Sequence, residues 1–250
     1  MTIATFIPDD PTSEYALAVV NRTEPRPLQT LLETLFADQP VTVDERRLPD
    51  AERDTVVLLE DGDVVATSPL AALERTILMV NSDLYVTGTR TLDVDVPAVL
   101  EHLQDVPFEL RGYPASNKEK LLLIAVSRHV ERRAYETGAG TLRASFQRLS
   151  RIDDERGTRA VYERLAETDV DTHVYGVPDR TPPASLDVTV HGGHTENFRR
   201  AWFVVYTPPR ADDDAAALVA YERDAGKWSG FWTYGRDRVA AVDEYVDRTM

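Results

Sequence analysis

One stretch limits what this chain can become more than any other: the run from Asn117 to Gln147. Leu121, Leu122, Ile124, Ala125, Val126 and Val130 follow one another too densely for a surface helix with a single buried stripe. A helix of this kind is expected to be covered on more than one side, and we take it as the central helix. Gly138 and Gly140 then end the helical period, and Thr141 to Phe146 reads as a strand that turns back to pack on the helix.

Other elements arrange themselves around that pair. Tyr15–Val20 reads as a strand, Leu28–Phe36 as a helix with its leucines on one face, and Val41–Arg46 as a half-buried strand. Thr55–Leu59 and Val64–Thr67 flank Glu60-Asp61-Gly62-Asp63, and an Asp-Gly pair between two apolar runs predicts a hairpin. Ser68-Pro69 has the pattern of a helix N-cap followed by proline at the first helical position, opening a helix to about Met79. A polar turn and short strand over residues 81–88, a short helix over Pro97–Leu103 and a strand at Phe108–Leu110 follow. Beyond the central helix come an amphipathic helix over Asp154–Glu167 and a strand over Val170–Tyr175. With the preceding strand these predict a right-handed parallel unit. A polar loop with one strand near Leu186–Val190 leads to Trp202–Tyr206 and Ala216–Tyr221, continuous apolar runs expected of strands buried on both faces. Trp228–Tyr234 and a closing helix over Asp237–Arg248 complete the chain.

Charge divides the sequence. Its 43 acids outnumber 28 bases, of which only Lys118, Lys120 and Lys227 are lysines, giving a net charge of −15. Residues 1–115 hold 21 acids and 8 arginines, whereas 116–250 hold 22 acids and 20 bases. With Gly112-Tyr113-Pro114 at the change, the expected organisation is an acidic α+β region over 1–115 and a second domain over 116–250. An Asp-rich, Lys-poor surface suits a salt-saturated cytoplasm, because at about 1 M salt the Debye length is only about 3 Å and carboxylate repulsion is screened. A GC-rich genome also favours Arg over Lys but leaves the acid excess unexplained. The chain has no cysteine, which excludes disulfides, thiolate metal sites and cysteine nucleophiles. Its longest apolar run falls far short of the roughly 20 residues that span a bilayer, and residues 1–20 lack a basic start followed by an apolar run. The expectation is a cytoplasmic protein with no membrane partner.

Residues 116 to 249 resemble the DICT domain, a sensory module. The likeness is carried by Ser127-Arg128-His129-Val130-Glu131, by the strand ending in Phe146-Gln147, by Tyr162-Glu163-Arg164-Leu165-Ala166, and by the closing hairpin and helix. The whole chain is similar to haloarchaeal proteins that carry this domain behind an acidic segment. The resemblance implies a signal-input role, with a link to light response, and brings no catalytic residues with it. It differs from larger members in showing no cyclase, kinase or helix-turn-helix signature.

Several constellations have two readings. Ser127 and Glu131 lie four apart on one helix face, with Arg128 between them, and a carboxylate on so apolar a helix needs a partner. Either Glu131, Gln147 and Arg148 or Arg151 line a polar ligand pocket, or an internal salt bridge locks the helix to its strand. His191-Gly192-Gly193-His194 with Glu196 offers metal donors, but two glycines argue against the helix that an HExxH site requires and favour a loop. Gly138-Ala139-Gly140 follows a helix and precedes a strand, the reverse of the dinucleotide-binding order, and is read as a helix stop. The aromatics Trp202, Tyr206, Tyr221, Trp228, Phe231, Trp232 and Tyr234 either stack on a planar ligand or form core. In the last strand, alternation puts Trp228, Trp232 and Tyr234 on one face and Phe231 on the other. Residues 118–164 hold 11 bases against 7 acids. High salt and the overall acidity weigh against nucleic acid and for a solvated face.

These readings converge on a mixed α/β fold: a sheet of about five strands flanked by helices, with the smaller acidic region attached. The expected role is signal sensing without catalysis, passed on by contact with a signalling protein such as a two-component or transcriptional regulator. No cofactor, catalytic residue or metal ligand is assigned. Candidate ligand-binding residues are Ser127, Arg128, Glu131, Phe146, Gln147, Arg151, Trp202 and Trp232. The rival readings are an enzyme with a polar site around Glu131 and a DNA-associated transcriptional regulator.

Overall fold

The computed structural model describes residues 2–23, 33, 36, 39–76, 96–111, 118–154, 156–210 and 213–250. Apart from two positions, the helix expected over 28–36 lies outside these residues, as do the turn and strand at 81–88 and the Gly112-Tyr113-Pro114 cluster. Among the described residues, two mixed sheets carry the fold. The smaller has the order β2-β1-β3-β4, from β1 (Tyr15–Val20), β2 (Val41–Arg46), β3 (Thr55–Glu60) and β4 (Asp63–Pro69). The larger runs β5-β11-β10-β9-β6-β7-β8, from β5 (Phe108–Arg111), β6 (Ala139–Arg148), β7 (Asp169–Val177), β8 (Thr189–Gly192), β9 (Ala201–Thr207), β10 (Ala216–Asp224) and β11 (Lys227–Thr233). The helices are α1 (Ala98–Glu101), α2 (Lys118–Thr137), α3 (Arg151–Asp154), α4 (Arg156–Leu165), α5 (Glu196–Arg200) and α6 (Arg236–Thr249). No helix among the described residues is long and apolar enough to cross a membrane.

The chain is therefore mixed α/β, with seven strands in the larger sheet where about five were expected. Part of the difference is β5, which lies before the Gly112-Tyr113-Pro114 cluster yet pairs antiparallel with β11, from Phe108↔Gly230 to Arg111↔Lys227. Its partner is more than a hundred residues away, and no local pattern announces that.

Local chemistry explains the well-anticipated elements. The β3–β4 hairpin turns through Asp61 and Gly62, both at positive φ (52° and 91°), the two-residue geometry that matches strand twist. The helix expected after Ser68-Pro69 is present, but these two residues do not cap it. Both residues end β4, held extended by pairing with Val56 and Thr55 of β3, and proline is tolerated there because β4 is an edge strand. Helical residues run from 70 to 76. The Ser68 hydroxyl instead accepts the backbone N–H of Val99 at 3.2 Å, at the start of α1.

At the end of α2, Gly138 (φ 68°) donates its N–H to the Ala134 carbonyl at 2.9 Å, the glycine stop that its position implied. Gly140 (φ 100°) then lets β6 approach β9: a Cβ there would stand 2.6 Å from the Thr207 carbonyl oxygen. β6 and β7 pair in parallel and are joined through α3 and α4, as the strand–helix–strand run predicted.

The larger sheet is covered on both faces. Alternation along β9 and β10 sends Phe203, Val205 and Val219 to a core shared with Val239, Val242 and Val246 of α6. Val204, Tyr206 and Ala216 point the other way, to a core with Val130 and Ala134 of α2. Further along α2, Leu123, Ile124, Ala125 and Val126 join a third core that includes Leu17 and Leu58 of the smaller sheet and Trp228 of the larger. Every residue from Leu123 to Glu131 is buried. A helix buried all round needs no polar stripe, and each fully buried Leu, Ile or Val there contributes roughly 1.5–3 kcal/mol.

Candidate functional site

The site forms where the pairing of two central strands stops early. β6 and β9 pair from Thr141↔Thr207 to Ala144↔Val204 and no further. On its other side β6 shifts register against β7 between Ser145 and Arg148, so Phe146 and Gln147 lie in a bulge. Gln147 takes a left-handed φ of 54°, which for a residue with a Cβ costs on the order of 1 kcal/mol or more and persists only when its surroundings enforce it. They do so here. The Ser145 hydroxyl (2.9 Å) and the Gln147 side-chain amide (2.6 Å) both donate to the Ala201 carbonyl at the start of β9. Side chains thus replace the ladder, and the space left beneath α2 is a cavity of about 540 Å³, counting the part open to solvent.

Three layers contribute to its walls. From α2 come Ile124, Ser127, Arg128 and Glu131; from β6, Ala144 through Gln147; from β9, Trp202 and Val204. Arg151 of α3 and Thr158 of α4 complete the lining. The location, at the carboxyl end of β6, is where ligands bind in open α/β sheets: β7 follows on one side of β6, and β9, β10 and β11 on the other.

Within the wall, Arg128 and Glu131 are paired at 2.5 Å, with side chains only 9% and 3% exposed. The Arg128 guanidinium also donates to the Thr158 hydroxyl at 2.9 Å, and the second Glu131 oxygen accepts the Tyr162 hydroxyl at 3.2 Å. The ion pair lies within α2 and fastens that helix to α4, rather than to β6. Burial, and then the adjacent Glu131 carboxylate, push the Tyr162 phenol well above its ordinary range. Ser127 accepts the Trp202 indole N–H at 3.2 Å. Arg151 bonds the side-chain oxygen of Gln147. Phe146 meets Tyr162 edge-on, ring centroids 5.5 Å apart.

Of the eight candidate residues, Ser127, Arg128, Glu131, Phe146, Gln147, Arg151 and Trp202 share this one cavity, and Trp232 does not border it. Trp232 packs in the core between the two sheets, its ring 5.8 Å from Phe108. The face was read correctly, but β10 separates β11 from β9, which places Trp232 two strands from Trp202. Arg151 rather than Arg148 supplies the second arginine; Arg148 is exposed, 3.9 Å from Asp179. Sequence reasoning missed Ile124, Ala144, Ser145, Thr158 and Val204. Alternation puts Ser145 on the face of Arg143, which meets Asp243 of α6, so only the bulge brings it to the cavity, and nothing local marks Thr158.

The glycine-flanked histidines divide between elements. His191 and Gly192 belong to β8, and the His191 Nε2 lies 2.9 Å from Nδ1 of His173, whose Nε2 is 3.0 Å from Asp171. No group of three or more His, Asp or Glu suited to a metal occurs among the described residues.

No curated protein sequence matches the chain. Among solved structures it is similar to the polyphosphate kinase from Porphyromonas gingivalis, at 15% identity and a TM-score of 0.33, over 60% of this chain and 24% of that one. The chain thus spans about a quarter of that enzyme, and so slight a likeness carries no argument. The model of the DICT family, described as the sensory domain in diguanylate cyclases and two-component systems, matches residues 98–223. That match covers half of the chain, from α1 into β10, and includes every residue lining the cavity. The chain belongs to the DICT family of sensory domains.

Proposed function

We propose that this protein detects a small molecule in the cavity beneath α2 and reports it by contact with a signalling protein in the cytoplasm, such as a two-component or transcriptional regulator, without transforming what it binds. The observation that carries this reading is the state of the polar groups in the wall. Glu131 is engaged at both oxygens, by Arg128 and Tyr162, and the Ser145 hydroxyl is spent on a carbonyl. Ser127 is bonded to an indole, and no histidine stands among the lining residues to activate either serine. Such groups bind and position; they are not arranged as nucleophile and base.

A route outward begins at the same contacts. Ala201, which receives Ser145 and Gln147, directly follows α5. In α5, Asn197 accepts the Ile3 backbone N–H at 3.1 Å and donates to the Tyr245 hydroxyl of α6 at 3.0 Å. A ligand that moves the bulge pulls on α5, and through it on the opposite face of the sheet. In this reading the partner docks on the α5–α6 side, and the acidic surface of the N-terminal residues serves solubility in high salt.

Hydrogen exchange on the full chain, with and without the small-molecule fraction of its host, tests the proposal. Exchange is expected to slow at residues 124–131 and 144–151 and to change at 196–201, with the bound compound recovered unaltered. Unchanged exchange in all three segments, or consumption of the compound at a rate abolished by Glu131→Gln, contradicts it.

A further inference from the structure

Resting on the reading of the cavity as the sensing site, we infer that its ligand is a small organic monoanion with a planar apolar body, its carboxylate seated on Arg151. Three lining side chains are ionisable: Arg128, Glu131 and Arg151. The first two neutralise each other at 2.5 Å, and Tyr162 takes the remaining carboxylate oxygen. Arg151 bonds only the neutral amide oxygen of Gln147, and among the described residues no carboxylate stands within ion-pair distance of it. The wall therefore carries one uncompensated positive charge, on a half-buried side chain.

The Gln147 amide offers the Arg151 guanidinium one hydrogen bond from a neutral acceptor, whereas a carboxylate adds its own charge and a second, parallel hydrogen bond, so it displaces the Gln147 oxygen. A cation would meet Arg151 unopposed and find Glu131 already taken. The Ser127 oxygen accepts from Trp202, which leaves its own O–H to donate into the cavity. The remainder of the ligand faces apolar wall: Ile124, Ala144 and Val204, with the rings of Phe146 and Trp202. Displacing Gln147 from Arg151 also loosens the bulge, the first step of the outward route.

Benzoate, benzamide and benzylamine present one ring with a negative, a neutral and a positive head. Each is titrated into the full chain by calorimetry and by tryptophan fluorescence, alongside the variants Arg151→Gln and Trp202→Phe. Benzoate is expected to bind about tenfold more tightly than benzamide, since only benzoate brings a negative charge to Arg151. Arg151→Gln should bring the ratio of benzoate to benzamide affinity to about one, and Trp202→Phe should remove the fluorescence response. Equal or tighter binding of benzamide or benzylamine, or a benzoate preference that survives Arg151→Gln, overturns the anion assignment while the cavity stands as a binding site. Failure of all three to bind also overturns it. The reading of the cavity itself falls only if the host small-molecule fraction leaves hydrogen exchange unchanged as well.

Discussion

Replacing Glu131 with leucine is expected to lower the unfolding free energy by about 3–5 kcal/mol, the range for breaking a buried ion pair by removing one partner. The reason is what remains. Arg128 cannot shed its proton, its side chain is 9% exposed, and it loses the carboxylate paired with it at 2.5 Å. Tyr162, fully buried, also loses the acceptor of its hydroxyl. The double change Arg128→Met with Glu131→Leu removes both charges and is expected to return to within about 2 kcal/mol of the parent, since an apolar pair of similar volume commonly replaces a buried ion pair at little loss. Urea unfolding at fixed salt measures both variants and the coupling between them. A single-variant loss below about 1 kcal/mol would mean that Arg128 is solvated and the wall is not dry.

The second large effect is at alkaline pH. Burial holds the phenols of Tyr162, Tyr175 and Tyr206 above the ordinary value of 10.0; the Glu131 carboxylate adds to the effect at Tyr162, and the Arg143 guanidinium opposes it at Tyr175. A raised phenol pKa means that the folded chain keeps protons the unfolded chain has released. The stabilisation is therefore complete below pH 10 and is lost as pH rises beyond it. Tyr162, whose phenol is raised furthest of the three, contributes roughly 1 kcal/mol between pH 10 and 11, and Tyr175 and Tyr206 add to the loss in the same direction. The urea midpoint is expected to fall in that interval, and the phenolate absorbance of Tyr162, read as the difference between the parent chain and Tyr162→Phe, is expected only on unfolding. Tyr162→Phe should make the decline shallower. A Tyr162 difference absorbance that rises while the chain remains folded would contradict the burial of that ring.

What the sequence disclosed, and what it withheld, follows the range over which each feature is determined. The hairpin at Asp61-Gly62, the glycine stop after α2 and the apolar strands β9 and β10 are set by residues adjacent in the chain, and these were legible. Ser68-Pro69 was misread because the same dipeptide suits a helix start or the end of an edge strand, and only pairing with Thr55 and Val56 decides. The site was legible as far as its polar residues stand out on apolar elements: Glu131 on a buried helix demands a partner wherever that helix packs. Its apolar floor is ordinary core in sequence, so Ala144 and Val204 carry no mark. Thr158 enters only because α4 lies against α2. Trp232 shows the limit most plainly, since alternation fixes the face of a strand but not the order of strands in a sheet. The bulge at Gln147 is a feature of register, which no residue type there announces.

The central claim is that the cavity under α2 holds a small molecule. Native mass spectrometry of the protein purified from its own host, beside the variant Ala144→Phe that fills the cavity floor, tests this most directly. The account predicts a non-covalent adduct of one small organic molecule on the parent chain and its loss from the folded variant. A parent chain at the bare mass of its sequence, or an adduct retained undiminished by Ala144→Phe, would contradict it.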